Sequence, residues 1–188
     1  MARGINKSSG SRILQNRFYP VIFLVVIVLV AVVLLMYVNN ITRAKILEQR
    51  EAKIVSQLKG IFSDMDKYEF KDDIYIVLKD SQSIGYAFIA KGKGYGGEIQ
   101  TLVGIGKDFT LREITVMSNS ETPGLGSKIT LSSFTDQFKG LKSGDVILSK
   151  DGGQVDAITG ATISSRAVTD SVKKELDKKI EIIKKNNY

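Results

Sequence analysis

The longest apolar run of the chain extends from Val21 to Met36, sixteen residues without a polar side chain. With Phe18, Tyr19, Tyr37 and Val38 it reaches 21 residues. As a helix that is about 30 Å, close to the hydrocarbon thickness of a bilayer. Tyr19 and Tyr37 stand near its ends, where interfacial aromatics belong. A cleaved signal peptide would pass the same length test. Tyr37-Val38-Asn39-Asn40 is bulky and polar, however, and provides no small-residue cleavage site, so the pattern predicts an uncleaved anchor. Residues 1–17 read as a polar tail. From about Thr42 to Phe62 the apolar positions Ala44, Leu47, Ile54, Val55, Leu58 and Phe62 recur at three- and four-residue steps. That spacing predicts a stalk helix that packs on the following domain.

The period then changes. Apolar runs at 74–78, 84–90, 99–105 and 111–117 predict strands of an antiparallel meander. Between the second and third lies Lys91-Gly92-Lys93-Gly94-Tyr95-Gly96-Gly97. It lacks the spacing of a P-loop and joins two strands, so its glycines serve either a close backbone approach or a flat ligand beside Tyr95. After the fourth run comes Glu121-Thr122-Pro123-Gly124-Leu125-Gly126, where Pro-Gly predicts a type II turn. This segment reads equally as a connection or as a binding loop. Ile129, Phe134 and Phe138 are spaced for one buried side of a helix that stops at Lys139-Gly140. Val146–Leu148 and Gln154–Ile158 read as a hairpin around Asp151-Gly152-Gly153. A final helix places Ile163, Ala167, Val168, Val172, Leu176, Ile180 and Ile183 on one face, with most of its lysines elsewhere.

Composition narrows the chemistry. The chain has no His and no Cys, which excludes zinc sites of those ligands, thiolate iron–sulfur clusters, His-ligated haem, Ser-His-Asp triads and Cys nucleophiles. Redox chemistry here therefore needs an organic cofactor. The net charge of +7 does not indicate nucleic acid. Arg3, Lys7, Arg12 and Arg17 precede the apolar run, and beyond it 23 basic residues stand against 20 acidic ones. No dense basic-aromatic patch follows, so no nucleic-acid partner is expected. Arg43, Lys45, Arg50 and Lys53 balance the four N-terminal charges, so the positive-inside count is a tie.

The candidate chemistry gathers at Asp156-Ala157-Ile158-Thr159-Gly160-Ala161-Thr162-Ile163-Ser164-Ser165. This reads as strand, tight turn and helix start, with four hydroxyls around one glycine. Thr162 or Ser164 could simply cap the helix. Free first-turn amides also suit a phosphate. Asp156 is the only nearby acid, and a threonine hydroxyl does not activate itself. Modification of Thr162 therefore requires another enzyme.

Asp156-Ala157-Ile158-Thr159-Gly160-Ala161-Thr162 resembles the flavinylation motif Asp-x-x-Ser/Thr-Gly-Ala-Thr of FMN-binding domains. Lys93-Gly94-Tyr95-Gly96-Gly97, Glu121-Thr122-Pro123-Gly124-Leu125-Gly126 and Gln137-Phe138-Lys139-Gly140 resemble, in order, segments of the RnfG/NqrC family. Together with the single anchor, the resemblance covers residues 18–183. It implies an α+β chain: one N-terminal transmembrane helix, then an FMN-binding domain with a mainly antiparallel sheet packed by helices. The expected organisation is a cytoplasmic tail at 1–17, the membrane span at 18–38, a stalk at 39–66 and an extracytoplasmic domain at 67–188.

The resemblance further implies FMN joined through its phosphate to Thr162, installed from FAD by a flavin transferase. It implies electron relay among other membrane subunits of an Rnf-type complex that couples ferredoxin and NAD chemistry to Na⁺ or H⁺ movement. No independent catalysis, catalytic residue or metal site is expected of this chain. Candidate cofactor contacts are Tyr95, Glu121, Thr122, Leu125 and Gly126 for the pocket. At the attachment motif they are Asp156, Thr159, Gly160, Ala161, Ser164 and Ser165. The competing readings are an electron donor or sensor outside such a complex, or a cofactor-free scaffold.

Overall fold

The structure, a computed structural model, describes residues 18–186 and 188, with the backbone alone at 19, 43–48 and 50. The expected tail at 1–17, with its four basic residues, lies outside the described residues. So do the side chains of Tyr19, Ala44 and Leu47.

Helix α1 runs Tyr19–Ile61, so the apolar run and the stalk pattern form one element. Pro20–Thr42 has the length and composition to cross a bilayer. Side chains from Val21 to Ile41 are exposed along this stretch, as lipid-facing residues would be. The chain divides into two compact units, Met1–Ala52 and Lys53–Tyr188. The second unit begins at Lys53 and includes the last turns of α1.

Within that unit five strands, β1 (Lys67–Lys71), β2 (Ile74–Lys79), β3 (Gln82–Lys93), β4 (Glu98–Gly106) and β5 (Leu111–Ser118), form an antiparallel meander in sequence order. β1 was not expected. Its sequence Lys-Tyr-Glu-Phe-Lys leaves no side chain fully buried, because it lies at the open edge and pairs with β2 alone. Both faces of the sheet are covered, which explains why the inner strands read as nearly continuous apolar runs. One face packs Ile76, Phe88, Val103 and Ile114 against Val168, Val172 and Leu176 of the last helix. The other packs Val77, Ala87 and Leu102 against Leu58, Phe62 and Met65.

Beyond β5 the expected helix is broken. A 3₁₀ turn (Gly126–Thr130), the single turn α2 (Ser132–Thr135) and another 3₁₀ turn (Asp136–Phe138) follow each other. Leu131 between the first two is extended, and the Ser- and Thr-rich sequence favours local turns over continuous helix. The spacing nonetheless identifies the inward side correctly, since Ile129, Phe134 and Phe138 are buried.

The expected hairpin at 146–158 is absent. Ser149–Asp151 forms a 3₁₀ turn closed by Gly152 at φ +90°, and the chain returns to make one parallel bridge, Leu148 to Val155. A two-residue hairpin turn of Asp-Gly type requires positive φ at both central residues, and Asp151 does not adopt it. The last helix, α3, spans Thr162–Asn186. Its inner face is Ser165, Val168, Val172, Leu176, Lys179 and Ile183, so two expectations are corrected. Ile163 points outward, and Lys179 is buried with its ammonium donating to the Asp72 carbonyl at 2.9 Å.

Candidate functional site

The segment leading to α3 is fixed from both sides. The Asp156 amide donates to Gln137 Oε1 at 2.7 Å, and Ser149 Oγ donates to the Asp156 carboxylate at 2.6 Å. Asp156 is therefore a strut of the approach to the turn. A turn follows in which the Ala161 amide donates to the Ile158 carbonyl at 2.9 Å. Gly160 stands there at φ +78°, a left-handed conformation that costs a side-chain-bearing residue energy. α3 then begins at Thr162, and its first helical bond runs from the Ser165 amide to the Ala161 carbonyl at 3.0 Å.

The four hydroxyls of the motif have different fates. Ser165 is fully buried. Its Oγ accepts from the Ile158 amide and donates to the Ala161 carbonyl, both at 3.0 Å, so it locks the turn and does not face a ligand. Ser164 is buried and its Oγ donates to Glu121 Oε2. Thr159 is exposed and does not line the cleft described below. Thr162 is half-buried, lines that cleft and has no hydrogen-bond partner for its hydroxyl among the described residues. Helix capping by Thr162 or Ser164 is not what the structure shows. The amides of Thr162, Ile163 and Ser164 have no acceptor among the described residues.

Glu121 joins three segments. It is 6% exposed; Oε1 accepts from the Gly96 amide at 2.9 Å, and Oε2 accepts from Ser164. The adjacent glycines are needed for this approach. A Cβ on Gly94 would lie 2.3 Å from Glu121 Oε1, one on Gly126 2.8 Å from Oε2, and one on Gly96 2.0 Å from the Ser120 carbonyl oxygen. The glycine-tyrosine loop thus serves a close approach between segments of the chain and leaves Tyr95 projecting, 75% exposed. Pro123-Gly124 forms the expected turn, with Gly124 at φ +74° and the Leu125 amide donating to the Thr122 carbonyl at 3.2 Å.

These segments enclose a cleft of about 510 Å³ lined by Tyr95, Glu121, Thr122, Leu125 and Gly126 on one side. Gly160, Ala161, Thr162, Ile163 and Ser164 line the other. The expected residues converge here except Asp156, Thr159 and Ser165, which support or flank the turn. Ile163 joins them unexpectedly. It is 57% exposed, and with Tyr95 and Leu125 it gives the cleft an apolar rim. The cleft falls within the size range of small-molecule sites, about 300–1,000 Å³, and combines apolar walls with a few convergent polar groups. Free helix-start amides for a phosphate and an apolar rim for a ring system fit a flavin mononucleotide.

The FMN-binding domain family matches residues 94–177. The G subunit of the ion-translocating oxidoreductase complex of Methanosarcina acetivorans is 39% identical over 171 residues, 84% of this chain and 91% of that protein. The G subunit of the proton-translocating ferredoxin:NAD(+) oxidoreductase complex of Clostridium ljungdahlii is 35% identical, over 69% of this chain and 74% of that protein. Its counterpart from the Na(+)-translocating complex of Acetobacterium woodii is 34% identical, over 71% and 70%. Among solved structures, the C subunit of the Na(+)-translocating NADH-quinone reductase of Parabacteroides distasonis aligns with a TM-score of 0.44 at 26% identity. That alignment covers 55% of this chain and 58% of that one. At the identity and coverage of these G subunits, this chain belongs to the RnfG/NqrC family of FMN-binding subunits of ion-translocating oxidoreductase complexes.

Proposed function

We propose that this chain carries FMN as a phosphoester on the Thr162 side-chain oxygen and relays electrons within a membrane-bound, ion-translocating ferredoxin:NAD oxidoreductase complex of the Rnf type. The observation that carries the reading is the state of Thr162. It is the one hydroxyl of the Thr-Gly-Ala-Thr-Ile-Ser-Ser segment that lines the cleft and is not used by the fold.

The amides of Thr162, Ile163 and Ser164 would hold the phosphate, aided by the positive end of α3. Tyr95, Leu125 and Ile163 would bound the ring. Neither serine hydroxyl is free for the phosphate, since Ser164 is given to Glu121 and Ser165 to the turn. When bound, a flavin accepts and passes one or two electrons, and the protein places and tunes it. A covalent tether keeps the group in place in every redox state while the open cleft leaves it reachable.

Among the described residues no base is hydrogen-bonded to Thr162. The Asp156 carboxylate is turned to Ser149 and that of Glu121 to Ser164 and Gly96. A separate flavin transferase drawing on FAD therefore installs the group. Residues 18–38 cross the cytoplasmic membrane, with 1–17 in the cytoplasm and the FMN domain outside. The span has no Asp, Glu, Lys, Arg or His, so ion movement belongs to other members of the complex.

The test is denaturing electrophoresis of the full chain, co-expressed with a flavin transferase and viewed under ultraviolet light. A fluorescent band that is lost in Thr162→Ala supports the reading. A band that persists in the variant, or no band from the unsubstituted chain, rejects it.

A further inference from the structure

Among the described residues Glu121 is the only charged one lining the cleft, and no Lys or Arg lines it. Its carboxylate is 6% exposed and takes its hydrogen bonds from an uncharged hydroxyl and an amide, with no cation within ion-pair distance among the described residues. The hydroxyl belongs to Ser164, in the first turn of α3, so the negative charge is tied to the same helix start that offers free amides. A helix N-terminus presents the equivalent of about half a positive charge. Here a carboxylate is already bonded to a side chain of that first turn.

Helix-start amides can hold a phosphate, and Lys or Arg beside them strengthen the site. A phosphomonoester carries about −1.5 to −2 charges near neutral pH, so a carboxylate beside such a site opposes it more than it opposes a singly charged group. A phosphodiester carries a single charge. We propose, resting on the reading of Thr162 as the flavin attachment site, that Glu121 is a specificity-determining residue. Its charge discriminates against free, doubly charged flavin mononucleotide and leaves the cleft suited to the singly charged diester on Thr162. The chain thereby avoids occupation by unattached FMN, which would block the threonine before the transferase acts.

The experiment uses the full-length chain carrying Thr162→Ala, which cannot be modified, and compares it with Thr162→Ala/Glu121→Gln. Equilibrium binding of FMN and of riboflavin, which shares the ring and lacks the phosphate, is measured at low salt. Removing the charge is expected to tighten FMN binding about tenfold while leaving riboflavin unchanged, because riboflavin carries no phosphate charge to be repelled. Unchanged or weaker FMN binding, or an equal gain for riboflavin, overturns the proposal.

If Glu121→Gln does not fold, the Thr162→Ala protein alone decides through salt. Screening of a net repulsion raises the ratio of FMN to riboflavin affinity as ionic strength increases, and an unchanged or falling ratio rejects it. These measurements concern reversible binding, so they stand apart from the covalent band that tests Thr162 itself.

Discussion

Ser164 Oγ donates to Glu121 Oε2 across 43 residues of sequence, joining the first turn of α3 to the loop that leaves β5. Glu121 Oε1 in turn holds the Gly96 amide. One buried carboxylate therefore sets the distance between the two walls of the cleft. Ser164→Ala leaves one of its oxygens without a donor in a buried site. A loss of about 1–3 kcal/mol of stability is expected, readable as a lower urea midpoint with an unchanged m-value. A midpoint equal to that of the unsubstituted chain would show that the contact is incidental.

The glycines beside Glu121 sit where a side chain has no room, which distinguishes them from open glycines such as Gly144. Gly96→Ala places a Cβ 2.0 Å from a backbone oxygen, whereas a Cβ on Gly144 meets nothing within 4 Å. Gly96→Ala should cost about 1–3 kcal/mol in chemical denaturation. Gly144→Ala should be neutral or stabilising by up to about 1 kcal/mol, since it only restricts the unfolded chain. Equal effects of the two would show that close approach is not what Gly96 provides.

Phe62 makes the last turns of α1 part of the FMN-binding unit. It is fully buried against Val77, Ala87 and Leu102, with the Arg112 guanidinium 5.0 Å from its ring centroid. Phe62→Ala is expected to destabilise the unit by about 3–5 kcal/mol. Calorimetry on the full chain reads this as a marked fall in Tm, and an unmoved transition would return residues 53–62 to the status of a linker.

The turn between β4 and β5 carries a pH-dependent contact. The Thr110 hydroxyl, and then the Thr110 amide, donate to the Asp108 carboxylate and hold its pKa below the usual value. A lowered folded-state pKa means that the contribution is complete above the ordinary carboxylate range and disappears as pH falls through the folded value. Asp108→Asn should therefore lower Tm at neutral pH, and the difference from the parent should shrink as the solution is acidified through that range. A difference that grows on acidification contradicts the assignment.

The inner strands were legible because each is an apolar run bounded by a turn, and covering both faces of the sheet made those runs nearly continuous. β1 was not, since Tyr68 and Phe70 alternate with charged residues and pack only at an edge. The broken helix after β5 and the missing hairpin share one cause. Periodicity identifies which side chains go inward, as with Ile129, Phe134 and Phe138, but the backbone path between them depends on tertiary contacts. At the site, the resemblance leads to Thr162, Tyr95 and Glu121. Nothing local distinguishes the hydroxyls of Thr162, Ser164 and Ser165, because their partners are an acid far away in sequence and the turn's own backbone. The apolar character of Ile163 suggests an inward position, yet the inner row starts at Ser165 and leaves Ile163 beside the cleft.

Flavin attachment at Thr162 concerns a single oxygen atom, and peptide mass spectrometry reads it without intermediaries. Trypsin releases Asp151–Arg166 as one fragment when cleavage occurs after Lys150 and Arg166. From chain matured with a flavin transferase, that fragment should carry the mass of FMN less one water, and fragmentation should localise it to Thr162. An unmodified fragment, or the added mass on Thr159, Ser164 or Ser165, would contradict the assignment.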